Sequence, residues 1–394
     1  MPTPRRAAAS SLTLLALLLP LIPAAAGSAV AAGPPPAAGS ATAQNSRSAP
    51  ELPRPTGRFA VGQDTLHLVD GSRTDPWSGS GPRELMVTMR YPAQRGTGRP
   101  VRYLTEEEAR LLLVDRGLDG LVSARTLADT ESYSRSGARP VGGRYPLIVL
   151  SPGFSVHRAT LTSLAEDLAS RGYVVAAVDH AYESAGTDFD GGRVLECLAC
   201  DKTGGDAGYK TVSDGRALDV SFLLDRLTGR DAAWHRADLI DPRRIAMAGH
   251  SIGGAAAAAT MAADGRVRAG VDLDGGLATP VPETGLGGRP FMLIGKADQT
   301  PGRDSTWDRN WPRLDGWKQW ITFADSGHFT FTDFPYLGDA LGVPDPGTPL
   351  TGARSVELTR RYVGAFFDQH LKGRPRPVLD GPAADAPEVR FHRP

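Results

Sequence analysis

The sequence predicts an α/β architecture, a mostly parallel central sheet flanked by helices, and three observations carry it. Short continuous apolar runs stand at 147–150, 174–178, 245–248, 269–273 and 291–294. Unbroken apolarity of this length marks strands buried on both faces. Helix-period patterns lie between them, at 161–170, 213–227 and 252–263. Strand and helix therefore alternate along the chain, the order that builds parallel βαβ units.

Taken from the N-terminus, residues 1–32 read as a secretory signal peptide. Arg5 and Arg6 precede an apolar run at 12–22, and small residues follow. The run is shorter than the roughly 20 residues of a bilayer span and contains Pro20, so no integral membrane span is expected. Cleavage fits after Ala26 or after Ala32, and the mature protein is expected to be secreted. Residues 33–57, rich in proline, alanine and serine and without apolar period, are expected to be a disordered linker. Residues 58–394 then form one domain. Within it, 59–69 and 85–91 alternate like antiparallel strands, 319–323 is a further strand, and 354–371 is a last helix. The stretch 104–135, with helical patterns at 106–114 and 118–127, interrupts the strands and predicts a small helical cap insertion.

Charge and cysteine content exclude several classes. Lys plus Arg and Asp plus Glu both number 44, a formal net charge of zero without a like-charged block. Nothing in that balance suggests nucleic acid or an anionic bilayer as partner. The two cysteines, Cys197 and Cys200, form a C-x-x-C with no second Cys or His pair at zinc spacing. In an exported chain they read as a local disulfide rather than a metal or redox site.

The chemistry is carried by Gly249-His250-Ser251-Ile252-Gly253-Gly254. A strand precedes it and an alanine-rich helix follows, so this is G-x-S-x-G in the strand-turn-helix context of the α/β-hydrolase fold. Such a turn exposes the Ser251 hydroxyl above the sheet, and glycine at 249 and 253 lets strand and helix approach closely. A serine hydroxyl needs a general base, and the base needs an acid to orient it. In this fold they follow in the order serine, acid, histidine. Of the histidines after Ser251, His370 lies in the terminal helix beside Phe366 and Phe367, and His392 is nearly terminal. His328 follows the 319–323 strand in a loop expected at the carboxyl edge of the sheet, which makes it the base. His250 is expected to pack beneath the turn. Two acids compete. Asp298 follows the strand after next, the commoner place in this fold, and Asp274 ends the strand directly after the nucleophile helix. Asp272 shares a strand face with Asp274 but lies short of the carboxyl edge, and reads as a buried structural carboxylate.

Three segments in order, Gly249 to Gly254, Gly270-Val271-Asp272-Leu273-Asp274-Gly275 and His328-Phe329-Thr330-Phe331-Thr332-Asp333-Phe334, resemble the platelet-activating factor acetylhydrolase family. That family pairs a G-H-S-F-G-G elbow with an acid ending the next strand and an H-x-x-F-x-D-F loop. Leu150-Ser151-Pro152-Gly153-Phe154-Ser155 is similar to its oxyanion-loop region, with Pro152 where the family usually has histidine. Gly275 stands where the family often has bulkier apolar residues. The resemblance extends over about 85–372 and implies Asp274 rather than Asp298 as the acid. By position it implies the backbone N–H groups of Phe154 and Ile252 as the oxyanion hole.

The expected activity is that of a serine carboxylic-ester hydrolase acting through an acyl-enzyme, with no metal and no organic cofactor. The resemblance implies a small-molecule or lipid ester as substrate, short-acyl phospholipids among them, with the cap setting acyl length. An esterase or lipase of broader acyl range, cutinase-like, is the nearest alternative. A non-catalytic hydrolase-fold binding protein is a rival of another class, and an amidase or peptidase would keep the chemistry but change the bond.

Overall fold

The computed structural model describes residues 49–394. The expected signal peptide, 1–32, and part of the expected linker, 33–48, lie outside the described residues.

In chain order, β1 (Ala60–Thr74) and β2 (Pro82–Ala93) form an antiparallel ribbon. Next come β3 (Arg99–Arg102), α1 (Glu106–Asp115), α2 (Ala124–Ala128) and β4 (Glu131–Ser136). The alternating body follows as β5 (Tyr145–Ser151), α3 (Thr162–Ser170) and β6 (Val174–His180). A hairpin of β7 (Thr187–Phe189) and β8 (Arg193–Leu195) leads to α4 (Gly205–Thr228) and β9 (Ile240–His250). Then come α5 (Ile252–Ala263), β10 (Val267–Leu273), β11 (Phe291–Gly295) and α6 (Ser305–Asn310). The chain finishes with β12 (Lys318–Phe323), α7 (Phe334–Leu341), α8 (Gly352–Lys372) and β13 (Val389–His392).

Eleven strands make one sheet, ordered β3-β4-β1-β2-β6-β5-β9-β10-β11-β12-β13. Pairing is parallel from β6 through β12. This is the expected α/β-hydrolase fold, and the continuous apolar runs are its central strands. Leu147, Ile148, Val149 and Leu150 are all fully buried because each face of β5 has a core against it. One core holds α4 and α5, with Leu223, Leu224 and Ala255 to Ala258. The other holds α3 and α8, with Leu164, Leu168, Phe366 and Phe367. A third, smaller cluster joins Leu104, Leu112, Leu113 and Leu127 of the 104–135 insertion to Leu337 and Leu341 of α7.

The structure corrects four sequence expectations. Residues 49–57 of the expected linker are held against the body. The Thr56 amide and hydroxyl both donate to Asp167 at 2.7 Å, Arg360 donates to the carbonyls of Pro53 and Arg54, and Leu52 is buried. One leucine and a set of hydrogen bonds hold this arm, and neither leaves an apolar period to read. The helical pattern at 118–127 contracts to α2, because Gly117 enters the left-handed region (φ 67°) and the following turn closes with Leu118 N–H on Leu113 O at 2.8 Å. The cap is not helical throughout, since its end, β4, joins the main sheet between β1 and β3. Glu131 to Ser136 is almost wholly polar, so it has no apolar alternation, and the free edge of β1 supplies the reason to be a strand. Finally, α4 begins at Gly205, two turns earlier than expected, in a glycine-containing stretch that reads as a loop.

Candidate active site

β9 stops at His250, Ser251 takes φ 56° and ψ −127°, and α5 begins one residue later. A non-glycine residue with that backbone is strained, and the surroundings hold it there. The Ser251 amide donates to the Leu273 carbonyl at 2.8 Å. A Cβ on Gly249 would lie 2.2 Å from the Gly253 carbonyl carbon, and one on Gly253 would lie 2.1 Å from the Ser151 oxygen. Both glycines of the motif are therefore required by contact distance.

Above this turn three side chains line up. His328 Nε2 is 3.0 Å from Ser251 Oγ, and His328 Nδ1 is 2.6 Å from Asp274 Oδ2. Because a carboxylate only accepts, Nδ1 carries the proton and Nε2 is left free to accept from the hydroxyl. Asp274 is held in turn by the Lys296 amide, which donates to Oδ1 at 2.9 Å. Burial raises the Asp274 pKa above the ordinary carboxylate range, while the contacts to His328 and to the Lys296 amide oppose that rise. Asp298, the competing acid, is exposed, pairs with Lys296 and does not reach the imidazole. Asp272 is fully buried under the turn, taking the Gly275 amide at 2.8 Å on Oδ1 and leaving Oδ2 without a partner. Burial, with the nearby Asp274 and Asp304 charges, pushes its pKa well above the ordinary carboxylate value.

Phe154 lies in the loop facing the elbow, half-buried, and its ring meets Tyr209 edge-on at 6.4 Å. Its amide N–H and that of Ile252, the first residue of α5, meet no acceptor among the described residues. Two unengaged donors, one in the loop facing the elbow and one directly after the half-buried Ser251, are of the kind that holds a developing oxyanion. His250 packs beneath this loop, and a Cβ on Gly153 would come 2.8 Å from its Nδ1. Gly275, a departure from the family pattern, is demanded here by contact, because a Cβ would lie 2.1 Å from the Ser251 carbonyl oxygen.

Sequence reasoning missed the network that holds the Phe154 loop. Arg216 is fully buried in α4 and donates to the Pro152 carbonyl at 2.5 Å, to Ser151 Oγ at 3.0 Å and to Glu183 at 2.7 Å. The Glu183 carbonyl takes the Ser155 amide at 3.0 Å. His180 bridges Ser151 Oγ and Asp219, and Asp219 also takes Arg83. A signal existed: Val212, Arg216, Asp219, Val220 and Leu223 fall on one helical stripe, so Arg216 and Asp219 stand where apolar residues would be expected.

Beside the histidine loop, a cavity of about 520 Å³ opens between the insertion and α7. Leu112, Leu118, Leu127, Phe329, Phe334 and Leu341 line it. Arg116 stands at its wall, stacked on the Phe329 ring at 5.2 Å and donating to Ser155 Oγ at 2.6 Å. Cys197 and Cys200 are disulfide-bonded in the loop before α4.

The sequence model of platelet-activating factor acetylhydrolase, isoform II, matches residues 46–190 and 228–342. A probable 1-alkyl-2-acetylglycerophosphocholine esterase of Arthroderma benhamiae is 30% identical, over 89% of this chain and 96% of its own. The platelet-activating factor acetylhydrolase of Gallus gallus is 26% identical, over 58% of this chain and 63% of its own. Among solved structures, the ferulic acid esterase of Streptomyces cinnamoneus superposes with a TM-score of 0.79 at 43% identity, covering 88% of this chain and 100% of that one. A family model that matches most of the chain, and a relative aligned over nearly its whole length, place this protein in the family of platelet-activating factor acetylhydrolase, isoform II.

Proposed function

We propose that the protein is a secreted carboxylic-ester hydrolase working through an acyl-enzyme on Ser251, with His328 as base, Asp274 as its orienting acid, and the amides of Phe154 and Ile252 as oxyanion hole. The observation that carries the reading is the contact chain of 3.0 Å from Ser251 Oγ to His328 Nε2 and 2.6 Å from His328 Nδ1 to Asp274. Ester hydrolysis is the activity for which the Arthroderma and Streptomyces relatives are named.

The steps follow from the geometry. His328 Nε2 takes the hydroxyl proton as Ser251 Oγ bonds to the ester carbonyl carbon, and the carbonyl oxygen becomes an oxyanion. His328 then gives that proton to the leaving alcohol as the C–O bond breaks, leaving the acyl group on Ser251. Water, deprotonated by the same nitrogen, bonds to the acyl carbon, and as the bond to Ser251 Oγ breaks His328 returns the proton to that oxygen and the carboxylic acid leaves. Asp274 keeps the imidazole in the productive tautomer and steadies its charged form.

For substrate, the family membership favours short-acyl phospholipids or similar small acylated esters. The described residues hold no helix long and apolar enough to cross a membrane. The disulfide supports secretion. A second reading, an ester of an aromatic acid, has its own support in the higher identity to the ferulic acid esterase and in the apolar, phenylalanine-bearing cavity beside His328. Rates on p-nitrophenyl acetate, butyrate and palmitate, on methyl ferulate and on an acetyl anilide separate these readings. A preference for acetate supports the first and a preference for ferulate the second. Failure of all the esters, or Ser251→Ala retaining turnover, refutes the proposal.

A further inference from the structure

At the opposite edge of the sheet from Ser251 lies a second cavity, of about 500 Å³, formed by the starts of β5 and β6, the end of α8 and the arm before β1. Seven cationic side chains line it, against a single lining carboxylate, Asp368. In a chain whose net charge is zero, that is a local concentration. Neighbouring carboxylates account for part of it: Arg171 pairs with Asp167 at 3.2 Å, Arg244 with Asp241 at 2.6 Å, and Arg376 with Asp368. Arg58, Arg144 and Arg374 have no ion pair among the described residues, and all three are exposed.

One cation in the cavity is fixed in position by its contacts. Lys372 is partly buried with its ammonium 3.5 Å from the Tyr173 ring centroid, 2.9 Å from the Arg171 carbonyl and 3.3 Å from Asp368. Burial, with Arg374 and Arg171 nearby, pushes its pKa down to about 8 against the pull of Asp368. The Nε of Arg376 is buried without an acceptor. Phe59 and Tyr145 meet edge-on at 6.2 Å along one wall, and Arg58 stacks on Phe59 at 4.7 Å. Arginine forks on a rigid aromatic wall suit an oxyanion with several phosphate oxygens, because guanidinium groups bind them in pairs.

We propose that this cleft binds a multivalent phosphate, an oligophosphate, independently of the ester site. Its position decides against a bilayer. β5 runs seven residues from Tyr145 at the cleft to Ser151 beside the elbow, a distance of about 20 Å at a strand's rise. A membrane bound at the cleft would leave the serine facing away from the lipid. A soluble oligophosphate instead holds the protein by its back and leaves the ester site open to solution.

The test uses the mature protein and inorganic tripolyphosphate, titrated calorimetrically at low ionic strength. Wild type should bind, more tightly than it binds inorganic phosphate, and salt should weaken the binding. The triple variant R58Q/R144Q/R374Q replaces only exposed side chains and should lose about tenfold or more in affinity, since each exposed pair contributes little and three act together. Its hydrolysis of p-nitrophenyl acetate should be unchanged. No binding by wild type, equal binding by the variant, or binding confined to phosphatidylglycerol vesicles would overturn the proposal.

Discussion

His250, the residue before the nucleophile, donates its Nε2–H to the backbone carbonyl of His328 at 2.7 Å. The two rings lie 4.6 Å apart. Burial first, and then the neighbouring charges of His328 and Arg116, push the His250 pKa down to about 3. It therefore stays neutral through the working range and serves as a fixed donor, tying the loop of the base to the strand of the nucleophile. His250→Leu should keep the fold and lower kcat by about tenfold to a hundredfold, the scale of one buried carbonyl left unpaired. Steady-state kinetics with circular dichroism checks this, and a wild-type kcat would remove the tether from the account.

The acid is tested by paired substitutions. Asp274→Asn should lower kcat by on the order of 10⁴-fold, as loss of the orienting carboxylate does in serine proteases. Asp298→Asn should leave it nearly unchanged, because that side chain is exposed and engaged with Lys296. The reverse pattern would return the role to Asp298.

Arg216 acts on the site at one remove. It fixes the Pro152 carbonyl, and with it the direction of the Phe154 amide. Arg216→Lys keeps a charge beside Glu183 but loses the fork, so kcat should fall about tenfold or more while KM moves little, the mark of an interaction made in the transition state. Equal losses in kcat for a substrate whose deacylation is limiting and one whose acylation is limiting would fit, since both steps use the same hole. A change in KM alone would point to a binding role instead.

Asp272 gives a pH signature. Its pKa is raised in the folded protein, so folding takes up a proton at pH values between the unfolded and folded values, and stability falls as pH rises through that window. Asp272→Asn removes the ionisation. The variant should gain in unfolding temperature over wild type as pH rises, with the gap closing as pH falls toward the ordinary carboxylate range. Parallel melting curves across that range provide the measurement, and a constant gap would mean that the carboxyl does not titrate as argued.

Much of this site was legible because its chemistry is local in sequence. The elbow needs Gly249 and Gly253 within two residues of Ser251, so spacing alone identifies the nucleophile turn. The choice between Asp274 and Asp298 was not local, and a family resemblance was needed to favour the acid that the geometry brings to His328. The Arg216 network was harder still. Its members come from β2, β5, β6 with the turn after it, and α4, and only the fold brings Arg83, Ser151, Glu183 and Asp219 within hydrogen-bond reach. β4 escaped notice for a related reason, since a strand paired on both sides near the sheet margin but burying little side-chain surface needs no apolar alternation.

The helix behind the nucleophile constrains how this protein can change. From Ile252 to Met261 every residue of α5 is buried. A Cβ on Gly254 would lie 1.9 Å from Asp272 Oδ1, so even one added methyl collides there. Variation in that helix is closed to natural drift and to laboratory evolution alike, because overpacking a close-fitted core costs about 1–3 kcal/mol per site or more. The cavity beside His328 stands under a looser constraint, since its walls belong to the insertion and to α7, a smaller cluster apart from the two main cores. Libraries aimed at new acyl or alcohol groups belong at Leu112, Leu118, Leu127 and Leu341, where a lineage can explore substrates while its nucleophile stays fixed.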